Sequence, residues 1–350
     1  MINIIFPVLL CLFLFVVYYF AFRFLPGERW QVFASLPMSK MENGRWEGVN
    51  ITYYGIILST GYVIAITLFF ILSASAGATW LFAGAVTTAV MFIFIPAAKV
   101  MAFVVEGKKN TITVGGASFV MLLASPWIVR GVNYFFSVND LHGTGESVIM
   151  AAMVTAYALG EGIGRLACIS FGCCYGRPVT GLPLLLRVIF YKWNFVFSGD
   201  TKKISYHDNL NGTPVVPIQG ITAILYTVTA SFSIYLFLEG YFIISFFISL
   251  TVTQLWRFFS EFLRADYRGE GKISAYQIMS LFIIPYFAVY MLFFRPETPG
   301  KADILSGVLF IWHPAVFILL SVMWLGCLLY TGVSRVTAAE ISLYVVSDRI

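Results

Sequence analysis

This sequence predicts an all-α polytopic membrane protein, a bundle of about seven to nine transmembrane helices with a small polar head loop. Three observations carry that prediction. Hydrophobic residues make up 59% of 350 positions and charged ones only 11%, with a mean hydropathy of +0.86, a balance that cannot be wrapped into a soluble globule. Apolar runs of the length a bilayer demands, about 20 residues each, recur along the chain. Basic residues gather in alternate loops between them.

The runs fall at 2–22, 51–74, 79–105, 113–137, 146–172, 217–238, 241–260, 275–294 and 307–331. The first has no basic residue before it and no small-residue cleavage site after it, so it reads as a retained anchor and not a signal peptide. Leu10 stands where a lipoprotein site wants a small residue, which removes Cys11 as a lipid attachment point. Residues 1–50 are read as an anchor helix with a basic loop, 51–294 as a membrane domain, and 295–350 as an extra helix and tail. The segment 173–216 contains "RPVTGLPLLLRV" and "SGDTKKISYHDNLNGTPVVP". Its turn formers predict a head of loops and short strands.

Sixteen of the 22 Lys and Arg fall in 23–50, 106–112, 173–216, 261–274 and the C-terminal tail, against Arg295 and Lys301 on the opposite side. By the positive-inside rule those loops are cytoplasmic and the N-terminus lies outside. The net charge of +5 therefore reads as topology and attraction to anionic headgroups. No basic, aromatic-interleaved surface points to a nucleic-acid partner.

Four cations lie inside the runs: Lys99, Arg130, Arg165 and Arg257. A charge at a helix centre costs about 2.5–3.5 kcal/mol on insertion scales, so each needs a partner, an interface or a role. Lys99 and Arg130 read as side chains reaching back to a headgroup. Arg165 differs, because Glu161 stands four residues before it and Cys168 three after it, on one helical face. Arg257, Glu261 and Arg264 share a face in the same way. Two readings stand for these groups. Either they are ion pairs knitting helices together, or two arginines from different helices converge on an anion, which inside a membrane is a phospholipid phosphate.

The stretch "GRLACISFGCCYGR" at 164–177 resembles, without a gap, the signature G-R-x-G-N-F-x-N-G-E-x-x-G-R of prolipoprotein diacylglyceryl transferases. It shares Gly164, Arg165, Gly172, Gly176 and Arg177. Further pieces follow in that family's order: "YYG" at 53–55, "GGASF" at 115–119, "PIQ" at 217–219, "RFFSEFLRADY" at 257–267 and "SAYQIMS" at 274–280. The resemblance implies transfer of a diacylglyceryl group from phosphatidylglycerol to the thiol of a lipobox cysteine, with release of glycerol phosphate, in a bacterial plasma membrane. It makes Arg165 and Arg257 the groups that stabilise the leaving phosphate, with Glu261 holding Arg257. Cys168 and Arg264 are placed beside them. Gly164, Gly172 and Gly176 let the backbone turn closely around the headgroup. Gln219 and Gln277 are candidates either to line the pocket or to hydrogen-bond between helices. No cofactor is implied.

The departures fall on acid/base groups. Val120 stands where the family has His after Gly-Gly-x-Ser-Phe, Cys168 for its Asn, Cys173 for its Glu, Val216 for the His before Pro217, and Thr253 for a Tyr. His142, His207 and His313 match no motif and read as interfacial polar residues. Cys168, Cys173 and Cys174 lie near an arginine, which should favour thiolate, and a thiolate is both nucleophile and base. Cys173 or Cys174 is thus a candidate to take the diacylglyceryl group or to activate an acceptor thiol. Small packing residues, a vicinal disulfide or half of a metal site are the alternatives. A closed zinc site is not expected, for no second Cys or His pair stands at the usual spacing.

The resemblance puts the head loop on the outer face and the charge count puts it in the cytoplasm. Basic residues gathered to hold headgroups distort such a count, so the outer face is favoured, where the cysteines would meet an oxidising compartment. Two other functions stay open beside the transferase: a membrane vicinal-thiol protein, redox-active or binding a soft metal, and a catalytically inactive phospholipid-binding relative.

Overall fold

The computed structural model describes residues 2–107, 113–266, 273–293 and 300–350. Lys108, Lys109, Arg268, Lys272 and Arg295 of the charge count, and Tyr267 of the motif at 257–267, lie outside the described residues.

In chain order the elements are α1 (Ile2–Phe24), β1 (Val32–Lys40), β2 (Trp46–Thr52), α2 (Tyr53–Ser75), α3 (Trp80–Glu106), α4 (Val114–Val138) and α5 (Glu146–Phe171). The head follows with α6 (Leu184–Lys192), β3 (Phe195–Val196), α7 (Lys203–Asp208) and β4 (Pro214–Val215). The chain then runs through α8 (Ile218–Leu238), α9 (Phe242–Ser260), α10 (Ala275–Phe293), α11 (Ile304–Phe310), α12 (Pro314–Thr331) and β5 (Val333–Ile341). Among the described residues nine helices are long and apolar enough to cross a bilayer. The chain is a multi-pass, all-α membrane protein, as its composition predicts.

The bundle is built around α5, most of whose residues are buried, with α2, α8 and α9 packed on it. Small residues make this possible, since apolar side chains gain nothing by leaving lipid and helices must instead approach closely. A Cβ on Gly160 would meet the Cβ of Ala65 at 2.5 Å. Polar side chains tie the layers: Tyr18 of α1 and Thr227 of α8 share a hydrogen bond of 2.6 Å, and Thr155 of α5 lies 3.3 Å from both Ser245 and Ser249 of α9. α1 lies outside α8, α12 outside α2, and α3 pairs with α4. Outward residues such as Leu9, Phe13, Phe92, Phe317 and Leu329 are exposed and apolar, as lipid-facing positions must be.

The helix ends follow local rules. Thr52 and Thr79 cap α2 and α3, their side chains accepting from Gly55 N and Phe82 N at 3.3 Å each, which satisfies donors that the first turn leaves free. α5 ends at Gly172, whose φ of +71° is a left-handed cap that glycine adopts without strain.

Sequence reading missed one element. β1, β2 and β5 form an antiparallel sheet in the order β1-β2-β5 at the head-loop end of the bundle. It joins the N-terminal hairpin to the C-terminal tail: Thr52 N donates to Gly332 O at 2.9 Å, and Arg45 pairs with Glu340 at 2.9 Å. The head itself contains short helices and the two-residue pairing of β3 with β4.

Candidate functional site

A cavity of about 470 Å³ runs from the head-side end of the bundle into its interior. Deep in it the lining is apolar, with Ile66 and Phe69 of α2, Val86 and Val90 of α3, Met121 of α4 and Met153 of α5. Toward the head it turns polar, with Glu161, Arg165, Arg257, Glu261, Arg264 and the cysteines 168, 173 and 174. Met153 and Glu161 are eight residues apart on α5, or about 12 Å along the axis. The cavity thus has an apolar region and a charged end.

Glu161 organises the charged end. Its Oε1 accepts from Arg165 Nη2 and, at 2.6 Å, from Arg257 Nη2. Its Oε2 accepts from the Tyr157 hydroxyl. Arg257 is fixed further by donating from Nη1 to Gly115 O at 3.0 Å and Ser118 Oγ at 2.9 Å. A Cβ on Gly115 would stand 3.2 Å from that Nη1, so the glycine lets the guanidinium settle on the α4 backbone. The carboxylate is 4% exposed and the two arginine side chains 15% and 10%. One carboxylate between two guanidiniums leaves an excess positive charge in a site of low dielectric. Arg165 Nε is buried with no partner, and such a donor in a cavity is an invitation to an acceptor.

Several expectations are corrected here. Glu261 does not hold Arg257. It faces Arg264, with 3.8 Å between Oε1 and Nη1, and accepts a long 3.5 Å contact from Ser274 Oγ. Glu261 keeps helical backbone angles at the end of α9, but the carboxylate that meets Arg257 is Glu161 of α5. Arg264 is clamped by Asp266 through two bonds of 2.8 Å. Gly164 lines the cavity but needs no special freedom, since a Cβ there would meet only Leu58 Cδ1 at 3.8 Å. Gly172 and Gly176 sit outside the lining. Gly172 closes α5, and Gly176 presses on the next segment, where a Cβ would meet Val216 O at 2.4 Å.

Gln219, fully buried, donates from Nε2 to Cys173 O at 2.8 Å, and its Oε1 has no partner. It supports the cysteine loop from behind the cavity wall. Gln277 caps α10 by accepting from Ser274 N at 2.8 Å and donates to Phe258 O at 3.1 Å. Arg130 is not a simple headgroup reacher: its Nε and Nη2 bind both oxygens of Glu146 at 3.0 Å. Lys99 is exposed and lies 5.4 Å from the ring of Tyr330. His142 is exposed in a loop, His207 Nδ1 is 2.8 Å from Asp208, and His313 stacks on Trp80.

The thiols of Cys168, Cys173 and Cys174 lie within 4.8 Å of one another, and none is in a disulfide. The expectation that a nearby arginine favours thiolate fails at Cys173, just past α5. Hydrogen bonds with Cys168 and Cys174, and then burial, push its pKa well above the usual thiol value.

Tyr157, Ser118 and Arg335 are site residues that residue-by-residue reading did not single out. Tyr157 stands one helical turn before Glu161, and that spacing was a usable signal. Arg335 of β5 reaches the lining only through the sheet, for which the tail sequence holds no local sign.

No family model matches the chain. Phosphatidylglycerol–prolipoprotein diacylglyceryl transferase 2 of Clostridium perfringens (strain 13 / Type A) is 30% identical over 141 residues. The match covers 38% of this chain and 46% of that protein, so the chain spans less than half the length of this relative.

Proposed function

We propose that this protein is a transferase of the bacterial plasma membrane that moves a diacylglyceryl group from phosphatidylglycerol to the cysteine thiol of a prolipoprotein. The observation that carries the reading is Glu161 held between Arg165 and Arg257, with net positive charge and an unpartnered donor at the polar end of an otherwise apolar cavity. The partial likeness to the clostridial enzyme supports it.

In that reaction the acceptor sulfur attacks the glyceryl carbon that bears the phosphate. The carbon–oxygen bond breaks, its electron pair stays on the phosphate oxygen, and glycerol phosphate leaves. Negative charge grows on that oxygen, and guanidiniums already desolvated and fixed stabilise it without reorganising. Glu161, Ser118 and Gly115 O are positioning groups that hold the guanidiniums ready. The acyl chains occupy the side of the cavity lined by Ile66, Val90, Met121 and Met153.

The test supplies labelled phosphatidylglycerol vesicles and a synthetic lipobox peptide to the purified full chain, and follows thioether product. Product is expected, and it should disappear with Arg165→Ala and with Arg257→Ala in variants that keep the parent's helicity and elution. Folded protein that yields no thioether from any anionic phospholipid ends the reading. Orientation is tested with Asn211→Cys at the head: an impermeant maleimide should label it from outside intact cells. Labelling from the cytoplasmic side alone would separate the site from the face where prolipoproteins present their cysteine.

A further inference from the structure

We infer that Cys168, Cys173 and Cys174 form a three-thiolate Zn(II) site with one open coordination position, and that the acceptor thiol binds there to be deprotonated. The second half of this inference rests on the transferase reading above.

The cluster has the form of a site. Cys168 comes from the last turn of α5. Gly172 then reverses the chain, and Cys173 N donates back to Cys168 O at 3.0 Å. Cys174 takes a φ of +56°, a conformation rare for a residue with a side chain, and so turns toward the same centre. Gln219 pins the loop through Cys173 O at 2.8 Å. Zn–S bonds of about 2.3 Å in tetrahedral geometry place sulfurs about 3.8 Å apart. Thiols that all lie within 4.8 Å of one another need only small rotations to reach it. Thiolates select zinc or copper(I) over oxygen-seeking cations. Three thiolates and Zn(II) leave one negative charge, and the Arg165 guanidinium lines the same cavity.

Among the described residues no carboxylate or imidazole joins the cluster. All three cysteines line the cavity, so a fourth position on that side opens onto it, which is the arrangement of catalytic rather than structural zinc. It also answers the missing base at Val120. A thiol bound to zinc gives its proton to water, because a coordinated thiol is deprotonated outright. The bound sulfur then forms its bond to the glyceryl carbon as that carbon's bond to the phosphate oxygen breaks. The electron pair leaves on the phosphate beside Arg165 and Arg257. The thioether product is a weaker ligand than a thiolate and leaves the metal.

The full chain, reduced, stripped with a chelator and kept anaerobic, would be titrated with Co(II) and then Zn(II). One Co(II) per chain is expected, with thiolate-to-cobalt charge-transfer absorption and intense tetrahedral visible bands, displaced by one Zn(II). Cys168→Ser, Cys173→Ser and Cys174→Ser should each lose the charge-transfer band, while Arg257→Ala keeps it. Because a serine variant can misfold, zinc protection of the three thiols against iodoacetamide is read by mass spectrometry in unmutated protein. No charge-transfer band together with no protection overturns the site. If metal binds but stripped protein transfers at full rate, the activation step is overturned while the transferase reading stands. If metal binds and no phospholipid yields thioether, the site stands and the transferase reading fails.

Discussion

Two ion-pair groups inside the bundle use the same residue types to different ends. Arg130 and Glu146 pair fork to fork at 3.0 Å, with about a third of each side chain exposed. Tyr290 adds a hydroxyl to Glu146 at 2.9 Å. The pair staples α4 to the start of α5. At Glu161 one carboxylate serves two guanidiniums, both nearly sealed from solvent, and Arg165 Nε is left over. Burial and a leftover donor mark the second group as a site more sharply than the presence of charge does.

If the proposed transferase function holds, the largest expected effect lies in the rate of transfer. Arg165→Ala and Arg257→Ala should each lower it by about 10²-fold or more, the usual scale for removing one donor that stabilises developing charge, whereas Arg130→Ala should leave it unchanged. A comparable loss with Arg130→Ala would erase the distinction between the two groups.

Stability should divide them next. Glu161→Gln strands two buried guanidiniums and should cost about 3–5 kcal/mol. Glu146→Gln should cost about 1 kcal/mol or less, since that pair is partly exposed and screened. Urea denaturation in detergent micelles checks both, and equal costs would mean that burial is not the discriminating variable.

A third cation sharpens the comparison, since among the described residues Lys202 has no carboxylate partner within bonding distance. It is fully buried in the head, donating to Ser170 O at 2.7 Å and Leu25 O at 3.2 Å. Those are carbonyls at the ends of two helices, where the macrodipole favours positive charge. Burial still dominates and lowers its pKa from 10.5 to about 8, with Glu28 opposing. Below pH 8 both folded and unfolded states hold the proton, and the full cost of the buried charge is felt. Between about pH 8 and 10.5 the unfolded state binds more protons, so this group makes stability rise with pH. Lys202→Met should flatten that rise, and an identical pH profile for parent and variant would refute it. The smallest effect is at Arg130→Gln, where a change of about 1 kcal/mol or less is expected, read by the same denaturation.

How much was legible in the sequence follows from how far each signal reaches. Glu161 and Arg165 are one helical turn apart, so their pairing could be read from spacing. Arg257 lies 96 residues further on, and the same spacing rule assigned it to Glu261, its neighbour in sequence and the wrong carboxylate. The rule fails because spacing reports only neighbours on one helix, and the carboxylate that Arg257 meets stands on α5. The cysteines divide in the same way. Cys173 and Cys174 stand out as a pair, but the third thiol joins only because Gly172 turns the chain back over α5.

The sequence by itself determined that the chain lies in a membrane, where its helices run, and which charges are too costly to be incidental. These are local matters of length, hydropathy and transfer energy, written in each segment without reference to any other. Tertiary structure decided which carboxylate the two arginines share, and that a C-terminal strand closes a sheet with the N-terminal hairpin. Each of these joins residues brought together by the packing of α5 against α2, α8 and α9, or by the return of the tail to β2. Pairing across such distances depends on which faces find one another in the folded bundle, and no local energy in the chain encodes it.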